Sequence, residues 1–282
     1  MFQYAFGRAI ALRCNYKLVL DTWSGFIRDK QYRRSYALGV FKVQARPATI
    51  LERLPLWLFK INDKVKKREQ NLKIYFCFVN FFLEKKFVFQ PKISEDLVAK
   101  HNWFVGYWQS PKYFQMFHSE IRKELAPPIP VNKKILALGE IMRCSESVAV
   151  GIRLYEESED PTAHAFLGRS KNPEDISKVI NRLLKDIPQV KFFIFCTHRA
   201  DFLSQIDLPK NSVFVTPEDG YENEIDCMWL LSQCKHHIFT NSSYYWWGAW
   251  LSHATHNQDD QLIFAADNFI NVDGLCEHWN RF

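Results

Sequence analysis

Polar side chains follow three apolar, strand-like runs in the second half of the chain. They are Arg153; Thr197 and His198; and Asn241, Ser242 and Ser243. The carboxyl ends of parallel strands share one edge of a sheet, and α/β proteins bind their ligands at that edge. The forked guanidinium of an arginine suits a diphosphate, and the first N–H groups of a helix attract phosphate. These residue types therefore indicate a site for a phosphate-containing ligand.

Each of these segments also has a plain structural explanation. Asn241–Ser243 can cap the helix that begins there and do nothing more. An arginine at the end of a buried strand needs a partner, and Glu156 or Glu157 could pair with Arg153. Glu156 could instead act as a general base, although an acidic loop is usually solvated surface. The residues alone leave both explanations open.

Tryptophans near the third segment favour the ligand site. On a helix, Trp246 and Trp250 share one face and Trp247 points elsewhere, so the three need not all be core. A metal ion is not expected, because His198 has no clustered partners and the pair His236–His237 alternates across a strand start. The chain also lacks the Asp-x-Asp motif that bridges a diphosphate through a cation. Arginine and a helix N-terminus would then balance the charge of a diphosphate.

Strands and helices alternate in the second half of the chain. Strands are predicted at 148–152, 192–195, 213–215, 237–240 and 262–265, and helices at 173–187, 224–234 and 244–251. Asn172 as N-cap and Pro173 at the first helical position mark the first of these helices. Alternation of this kind predicts a doubly wound α/β sheet. Near-continuous apolar strands predict burial on both faces.

The first half shows the same alternation more weakly. A helix opens the chain, strands are predicted at 18–20 and 104–107, and a further helix at 112–125. The proline-rich segment Leu125–Lys134 is typical of a linker, since proline resists both helix and sheet. We therefore predict two domains, 1–130 and 131–282.

The composition is that of a globular protein. The chain has 282 residues, of which 47% are hydrophobic, and a formal charge of +6, so it is not a disordered chain. The apolar stretch Ile74–Leu83 is too short for a transmembrane helix, and Arg8 and Arg13 interrupt the early apolar region, so no signal peptide is predicted. Seven scattered cysteines without metal or redox spacing indicate a reducing compartment. We expect a cytoplasmic protein, and leave open a peripheral contact at the inner face of the membrane.

The basic run Lys64–Lys73 raises the alternative of a nucleic-acid binder. A solvated or membrane-facing surface explains this run better, and the aromatic residues that follow it are typical of a core. No nucleic-acid partner is therefore predicted.

Three stretches resemble the bacterial α-1,2-fucosyltransferases of glycosyltransferase family 11. They are MFQYAFGRAIALRCNYKLVLD at 1–21, GYWQSPKYF at 106–114 and SQCKHHIFTNSSYYWWGAWLS at 232–252. The last corresponds to the family pattern Cys-x-His-x-Ile-x-x-Asn-Ser-Ser/Thr-Phe-Ser-Trp-Trp-Gly-Ala-Trp-Leu. The resemblance spans nearly the whole chain.

This resemblance implies a GT-B fold, with two Rossmann-like domains facing a cleft. It implies inverting, metal-independent transfer of fucose from GDP-fucose to a galactose-containing glycan, without a cofactor. The implied catalytic residues are Arg153 and Glu156. The implied donor-binding residues are Arg153, Thr197, His198, Asn241, Ser242, Ser243, Trp246 and Trp247. The implied acceptor-side residues are Gln3, Asp21, Trp108 and Gln109.

The sequence departs from the family pattern in three places. The family's His-x-Arg-Arg-Gly-Asp stands here as Gly151–Glu156, with a single arginine, and its Ser-Asp-Asp stands as Cys196–His198. Altered pocket contacts would explain both changes, and so would lost activity, so a non-catalytic relative that binds sugar nucleotide or glycan is the alternative function. Family members also begin with a strand and a glycine-rich turn before the methionine that is Met1 here. We expect an N-terminal domain without its first strand, in a truncated record of a longer enzyme.

Overall fold

The computed structural model describes two compact units. The described residues are 1–27, 29, 35–53, 73–76, 79–84, 88–94, 101–154, 171–199, 201–269, 271 and 273–282. The first unit is Met1–Glu124 with Asn271–Leu275, and the second is Leu125–Ile270 with Cys276–Phe282. The units therefore divide just before the prolines, close to the predicted boundary at residue 130. The segment Asn271–Leu275, which the sequence analysis placed in the second domain, groups with the first unit.

Helix α1 (Phe2–Cys14) contributes much of the core of the first unit. Its buried residues are Phe2, Tyr4, Ala5, Phe6, Ala9, Ile10 and Ala11. Asn15 ends the helix in the left-handed conformation, at φ 53°. Strand β1 (Val19–Leu20) pairs in parallel with β2 (Arg46–Pro47).

A second, three-stranded sheet belongs to the same unit. Strand β3 (Lys73–Phe76) pairs antiparallel with β4 (Val79–Leu83), and β4 pairs in parallel with β5 (His101–Val105). The described strands of this unit thus form two small sheets, and a Rossmann-like N-terminal domain is not confirmed. The missing first strand and the GT-B arrangement stay predictions.

The predicted helix at 112–125 is only partly formed. Two short 3₁₀ turns, Pro111–Tyr113 and Gln115–Phe117, precede helix α2 (His118–Glu124). Tyr113 and Phe114 are consecutive, and both are buried. A regular helix turns about 100° per residue and would direct two such rings to different sides. The irregular backbone allows both rings to enter the core.

The second unit contains a sheet whose described strands are all parallel. After helix α3 (Lys133–Arg143) come β6 (Ser147–Gly151), helix α4 (Pro173–Asp186), β7 (Lys191–Phe195), β8 (Val213–Val215), helix α5 (Glu224–Gln233), β9 (His236–Phe239), helix α6 (Ser243–Ser252), β10 (Ile263–Ala265) and β11 (Asn280–Arg281). Their order in the sheet is β11-β10-β9-β6-β7-β8. The strands and helices predicted for this half all lie within one residue of these bounds. Helix α3 and strand β11 were not predicted.

Helices cover both faces of this sheet. On one face, the alternate residues Val148, Val150 and Ile152 pack with the buried side of α4 in a single apolar cluster. On the other face, Gly151 lies against the ring of Tyr245 from α6. This arrangement confirms a doubly wound α/β sheet in the second half of the chain.

The strand order places a topological switch point between β6 and β9. The chain proceeds from central β6 to β7 and β8 on one side, and then returns to β9 on the other. Doubly wound sheets bind ligands beyond the carboxyl ends of the two strands at such a point. In the described part of the chain, no helix is both long and apolar enough to cross a membrane.

Candidate donor-binding site

Two hydrogen bonds from backbone N–H groups join the loops that follow β6 and β9 at the switch point. The N–H of Thr240, just after β9, donates to the carbonyl of Gly151 at 3.0 Å. The N–H of Arg153 in turn donates to the Thr240 hydroxyl at 2.8 Å. Thr240 is 3% exposed, while Arg153 is half-buried. The loop after β9 therefore fixes the main chain of Arg153, a role for Thr240 that the sequence did not reveal.

Helix α6 begins at the same edge with its N-terminus uncapped by a side chain. Ser242 is the N-cap, in an extended conformation, and its side chain makes no capping hydrogen bond. Ser242 is half-buried and Ser243 is exposed. Asn241 is 5% exposed, and its side-chain amide donates to the carbonyl of Asn268 at 3.4 Å. The Ser242 side chain thus does not cap the first N–H groups of α6, and groups of this kind attract an anion.

Thr197 and His198 follow β7, which is hydrogen-bonded to β6. Thr197 is exposed and His198 is half-buried, and the Thr197 hydroxyl lies 3.3 Å from His198 Nδ1. Cys196, which precedes them, is buried, and burial raises the pKa of its thiol to about 12. The structure therefore brings all three predicted segments to the carboxyl edge, on the neighbouring strands β9, β6 and β7.

The tryptophans of α6 lie in the core of the second unit. Trp246, Trp247 and Trp250 are 0%, 2% and 5% exposed. Their rings pack on one another, and Trp246 also contacts Trp279 at 5.3 Å between centroids. The expectation that the three need not all be core was wrong, because α6 is buried on every side from Tyr245 onward. A donor contact through Trp246 or Trp247 stays a prediction that this packing does not support.

Glu156, the predicted base, lies outside the described residues, as do Glu157 and residues 64–72 of the basic run. Among the residues that the structure describes, no group of three or more His, Cys, Asp or Glu side chains is arranged to hold a metal ion. Transfer without a metal stays a prediction.

Three of the four predicted acceptor-side residues meet in the first unit. The side-chain amide of Gln3 donates to the carbonyl of Gly106 at 2.8 Å, and the Gln109 carbonyl accepts from the amide of Asn271 at 2.7 Å. Trp108 is 2% exposed and stacks on Phe6 at 4.4 Å. The indole of Trp108 therefore packs in the core, while Gln3 and Gln109 are more accessible.

Asp21 has a local role at the end of β1. Its carboxylate accepts the N–H groups of Trp23 at 3.1 Å and Ser24 at 2.9 Å. Bonds of this kind fix a turn. The turn explains why an aspartate follows β1, and the acceptor role of Asp21 stays a prediction.

Glu84 is a partly buried carboxylate that the sequence did not single out. It follows β4, and its Oε2 accepts the N–H groups of Tyr107 at 2.6 Å and Trp108 at 3.0 Å. Burial raises the pKa of this carboxyl. Trp108 has φ +52°, a left-handed conformation that is uncommon for a bulky residue. Glu84 therefore holds the strained loop that carries Trp108 and Gln109. In the sequence, the only sign of this role was an acidic residue directly after an apolar strand.

Comparisons with known proteins give one consistent family. The profile described as "Glycosyl transferase family 11" matches residues 26–268. The "Alpha-1,2-colitosyltransferase" of Escherichia coli is 30% identical over 293 residues, which cover 100% of this chain and 94% of that protein. The "O-antigen biosynthesis glycosyltransferase WbnK" of Escherichia coli is 23% identical over 270 residues, covering 89% of this chain and 86% of that protein.

Similar solved structures are those of the fucosyltransferase NodZ. The NodZ structure from Bradyrhizobium is 16% identical with a TM-score of 0.41, and covers 88% of this chain and 86% of NodZ. A structure of NodZ α-1,6-fucosyltransferase co-crystallized with GDP gives the same identity, TM-score and coverage.

The profile match covers most of the chain, and the colitosyltransferase aligns along the whole of it. Both results agree with the resemblance of three sequence stretches to glycosyltransferase family 11. The chain therefore belongs to glycosyltransferase family 11.

Proposed function

We propose that the chain transfers fucose from GDP-fucose to the 2-hydroxyl of a galactose-containing glycan. One observation carries the donor half of this proposal. At the switch point, the main chain of Arg153 is hydrogen-bonded to Thr240, two residues before the N-cap Ser242, whose side chain does not cap α6. A guanidinium and a helix N-terminus at one edge suit a diphosphate. The sugar and the linkage come from family membership.

During the reaction, negative charge would develop on the diphosphate at that edge of the sheet. The oxygen of the acceptor hydroxyl attacks C1 of fucose and loses its proton to a base. The bond between C1 and the phosphate oxygen breaks, and GDP leaves with additional negative charge. Arg153 and the first N–H groups of α6 would stabilise this charge as it develops. Glu156 stays the predicted base.

Colitose transfer is the second candidate, because the colitosyltransferase matches this chain along its whole length. Colitose differs from fucose in lacking the 3-hydroxyl group. Both sugars would be carried by GDP, so both candidates use the same diphosphate site. They differ only in the contact that the pocket makes with O3 of the sugar.

Thermal melts with GDP, GDP-fucose, GDP-colitose and UDP test the donor site. A ligand at 100 times its Kd stabilises the folded state by about 2.7 kcal/mol, or roughly 5–10 °C for a unit of this size. We expect this shift with the guanine nucleotides but not with UDP, and its loss in Arg153→Ala. Arg143→Ala is the matched control, because Arg143 ends α3 and precedes β6, at the opposite edge of the sheet.

Product analysis then separates the candidates. Fucosylated or colitosylated galactoside, identified by mass, would show which sugar is transferred. Donor binding without any product would favour the non-catalytic alternative. A folded protein whose melting temperature does not respond to any guanine nucleotide would refute the proposed function.

A further inference from the structure

The hydroxyl of Tyr245 lies where two strands of the candidate donor site end. It donates to the carbonyl of Phe195, the last residue of β7, at 3.0 Å. It also lies 3.3 Å from the carbonyl of Ile152, the residue after β6. Tyr245 itself belongs to the first turn of α6 and is 6% exposed. One buried side chain therefore connects three elements that carry predicted donor residues.

Gly151 makes this position of the ring possible. A Cβ atom on Gly151 would lie 2.4 Å from Cγ of Tyr245 and less than 3 Å from both Cδ atoms. Real Cβ contacts are not that short, so any other residue would displace the ring and its hydroxyl. The missing side chain of Gly151 on β6 and the large ring of Tyr245 on α6 thus form a single packing arrangement.

The residues next to these hydrogen bonds are those predicted to hold the donor. Arg153 follows Ile152, and Thr197 and His198 lie shortly after Phe195. The N–H of Ile152 donates to the same Phe195 carbonyl at 2.9 Å. The Phe195 carbonyl therefore receives two hydrogen bonds, one from the residue after β6 and one from α6. Together they fix the spacing of the strand ends and the helix start.

We propose that Tyr245 is a positioning residue of the donor site. Its hydroxyl holds the ends of β6 and β7 against α6, so that Arg153 and the helix N-terminus face the same diphosphate. Tyr245 is buried, so its proposed part is to hold the residues that would bind the donor. This inference rests on the proposed function, since it names how the donor site is held.

Tyr245→Phe tests the inference, because it removes the hydroxyl and leaves the ring seated on Gly151. Tyr244→Phe is a closely matched control. Tyr244 is the preceding residue in the same helix turn, and its hydroxyl also donates to a backbone carbonyl, that of Glu224, at 2.6 Å. Both variants lose a tyrosine hydroxyl that donates to a backbone carbonyl, a buried bond for Tyr245 and an exposed one for Tyr244. Only Tyr245→Phe loses a bond to the strand ends.

The two readouts are the Kd for GDP and the amide exchange rates of Ile152 and Arg153, both measured on the full chain. For Tyr245→Phe we expect GDP binding weakened about threefold to tenfold, the size of one hydrogen bond, and faster exchange at both amides. For Tyr244→Phe we expect neither effect, although its melting temperature should also fall.

Unchanged GDP binding in Tyr245→Phe would overturn the positioning role. Equal weakening in both variants would also overturn it, because the cause would then be general loosening of α6. If the wild-type chain itself fails to bind GDP, the proposed function fails, and the positioning role fails with it. That outcome is recognised in the wild-type sample, before any variant is compared.

Discussion

Thr240→Val should release the main chain of Arg153. The Thr240 hydroxyl accepts the N–H of Arg153 at 2.8 Å and is almost completely buried. Valine has nearly the same shape as threonine but cannot accept this hydrogen bond. Leaving a buried N–H without its partner costs about 1–3 kcal/mol. Since 1.4 kcal/mol corresponds to a factor of ten, the Arg153 amide should exchange about 5 to 140 times faster.

Amide hydrogen exchange of Arg153, followed by mass spectrometry or NMR, measures this directly. Thr240→Ser is the control, because it retains the hydroxyl and loses only a methyl group. That loss costs about 0.8 kcal/mol by burial alone, so global stability does not separate the two variants well, whereas local exchange does. GDP binding should weaken in the valine variant and not in the serine variant. Equal exchange rates at Arg153 in the two variants would refute the assigned role of Thr240.

Three further perturbations test the packing and charges of the two units. Gly151→Ala places a Cβ 2.4 Å from the Tyr245 ring, and thermal unfolding should show a loss of about 1–3 kcal/mol or more from overpacking. Burial lowers the pKa of His237 to about 3, below its ordinary 6.5. The folded state therefore keeps His237 neutral, and its contribution is complete above about pH 6.5 and is lost as the pH falls towards 3. We expect a slope of about 1.4 kcal/mol per pH unit in that window, reduced in urea unfolding of His237→Gln. In the first unit, Glu124 accepts hydrogen bonds from Arg8 and the Tyr4 hydroxyl. Urea unfolding of Glu124→Gln should show a loss of about 1–3 kcal/mol, because the partly buried Arg8 guanidinium loses its charged partner.

The second half of the chain was predictable because its signals agree. Apolar runs such as Val148–Val150 are buried on both faces of the sheet, and Pro173 marks a helix start. Parallel topology then follows from the alternation of strands and helices. The placement of the three polar segments at one carboxyl edge could be predicted equally well, since it depends only on which residues follow each strand. The order of the strands could not be predicted, because it depends on contacts far apart in the sequence.

The first half was less predictable because local patterns there compete with packing. The consecutive rings of Tyr113 and Phe114 interrupt a pattern that otherwise indicates a helix. Trp108 adopts a left-handed backbone that no propensity predicts, and hydrogen bonds from its own and a neighbouring N–H to Glu84 hold it. Such contacts between distant residues are not visible in the sequence.

The tryptophans of α6 show that helical periodicity alone does not predict which residues are buried. Because Trp247 points away from the face shared by Trp246 and Trp250, the three were expected not all to be core. The structure instead buries this helix on every side, because the neighbouring elements pack around it, with Trp279 among the contacts of Trp246. Burial on all sides is typical of a helix that is hydrophobic all round. The informative signal was therefore the unbroken run of apolar and small residues from Tyr245 to Leu251, and not their spacing.

The altered arginine motif has a packing explanation at two of its positions. The family pattern places histidine where Gly151 stands and serine where Tyr245 stands, and in this chain those two positions touch. A small residue on β6 thus accompanies a large one on α6, and the ring of Tyr245 occupies the space that a side chain at 151 would need. Leu154, at the position of the second arginine, is 7% exposed and packs in the apolar cluster. An unpaired arginine would be costly at that site. Both departures are therefore accommodated by the core, and Arg153 stays at the carboxyl edge as the one arginine of the motif.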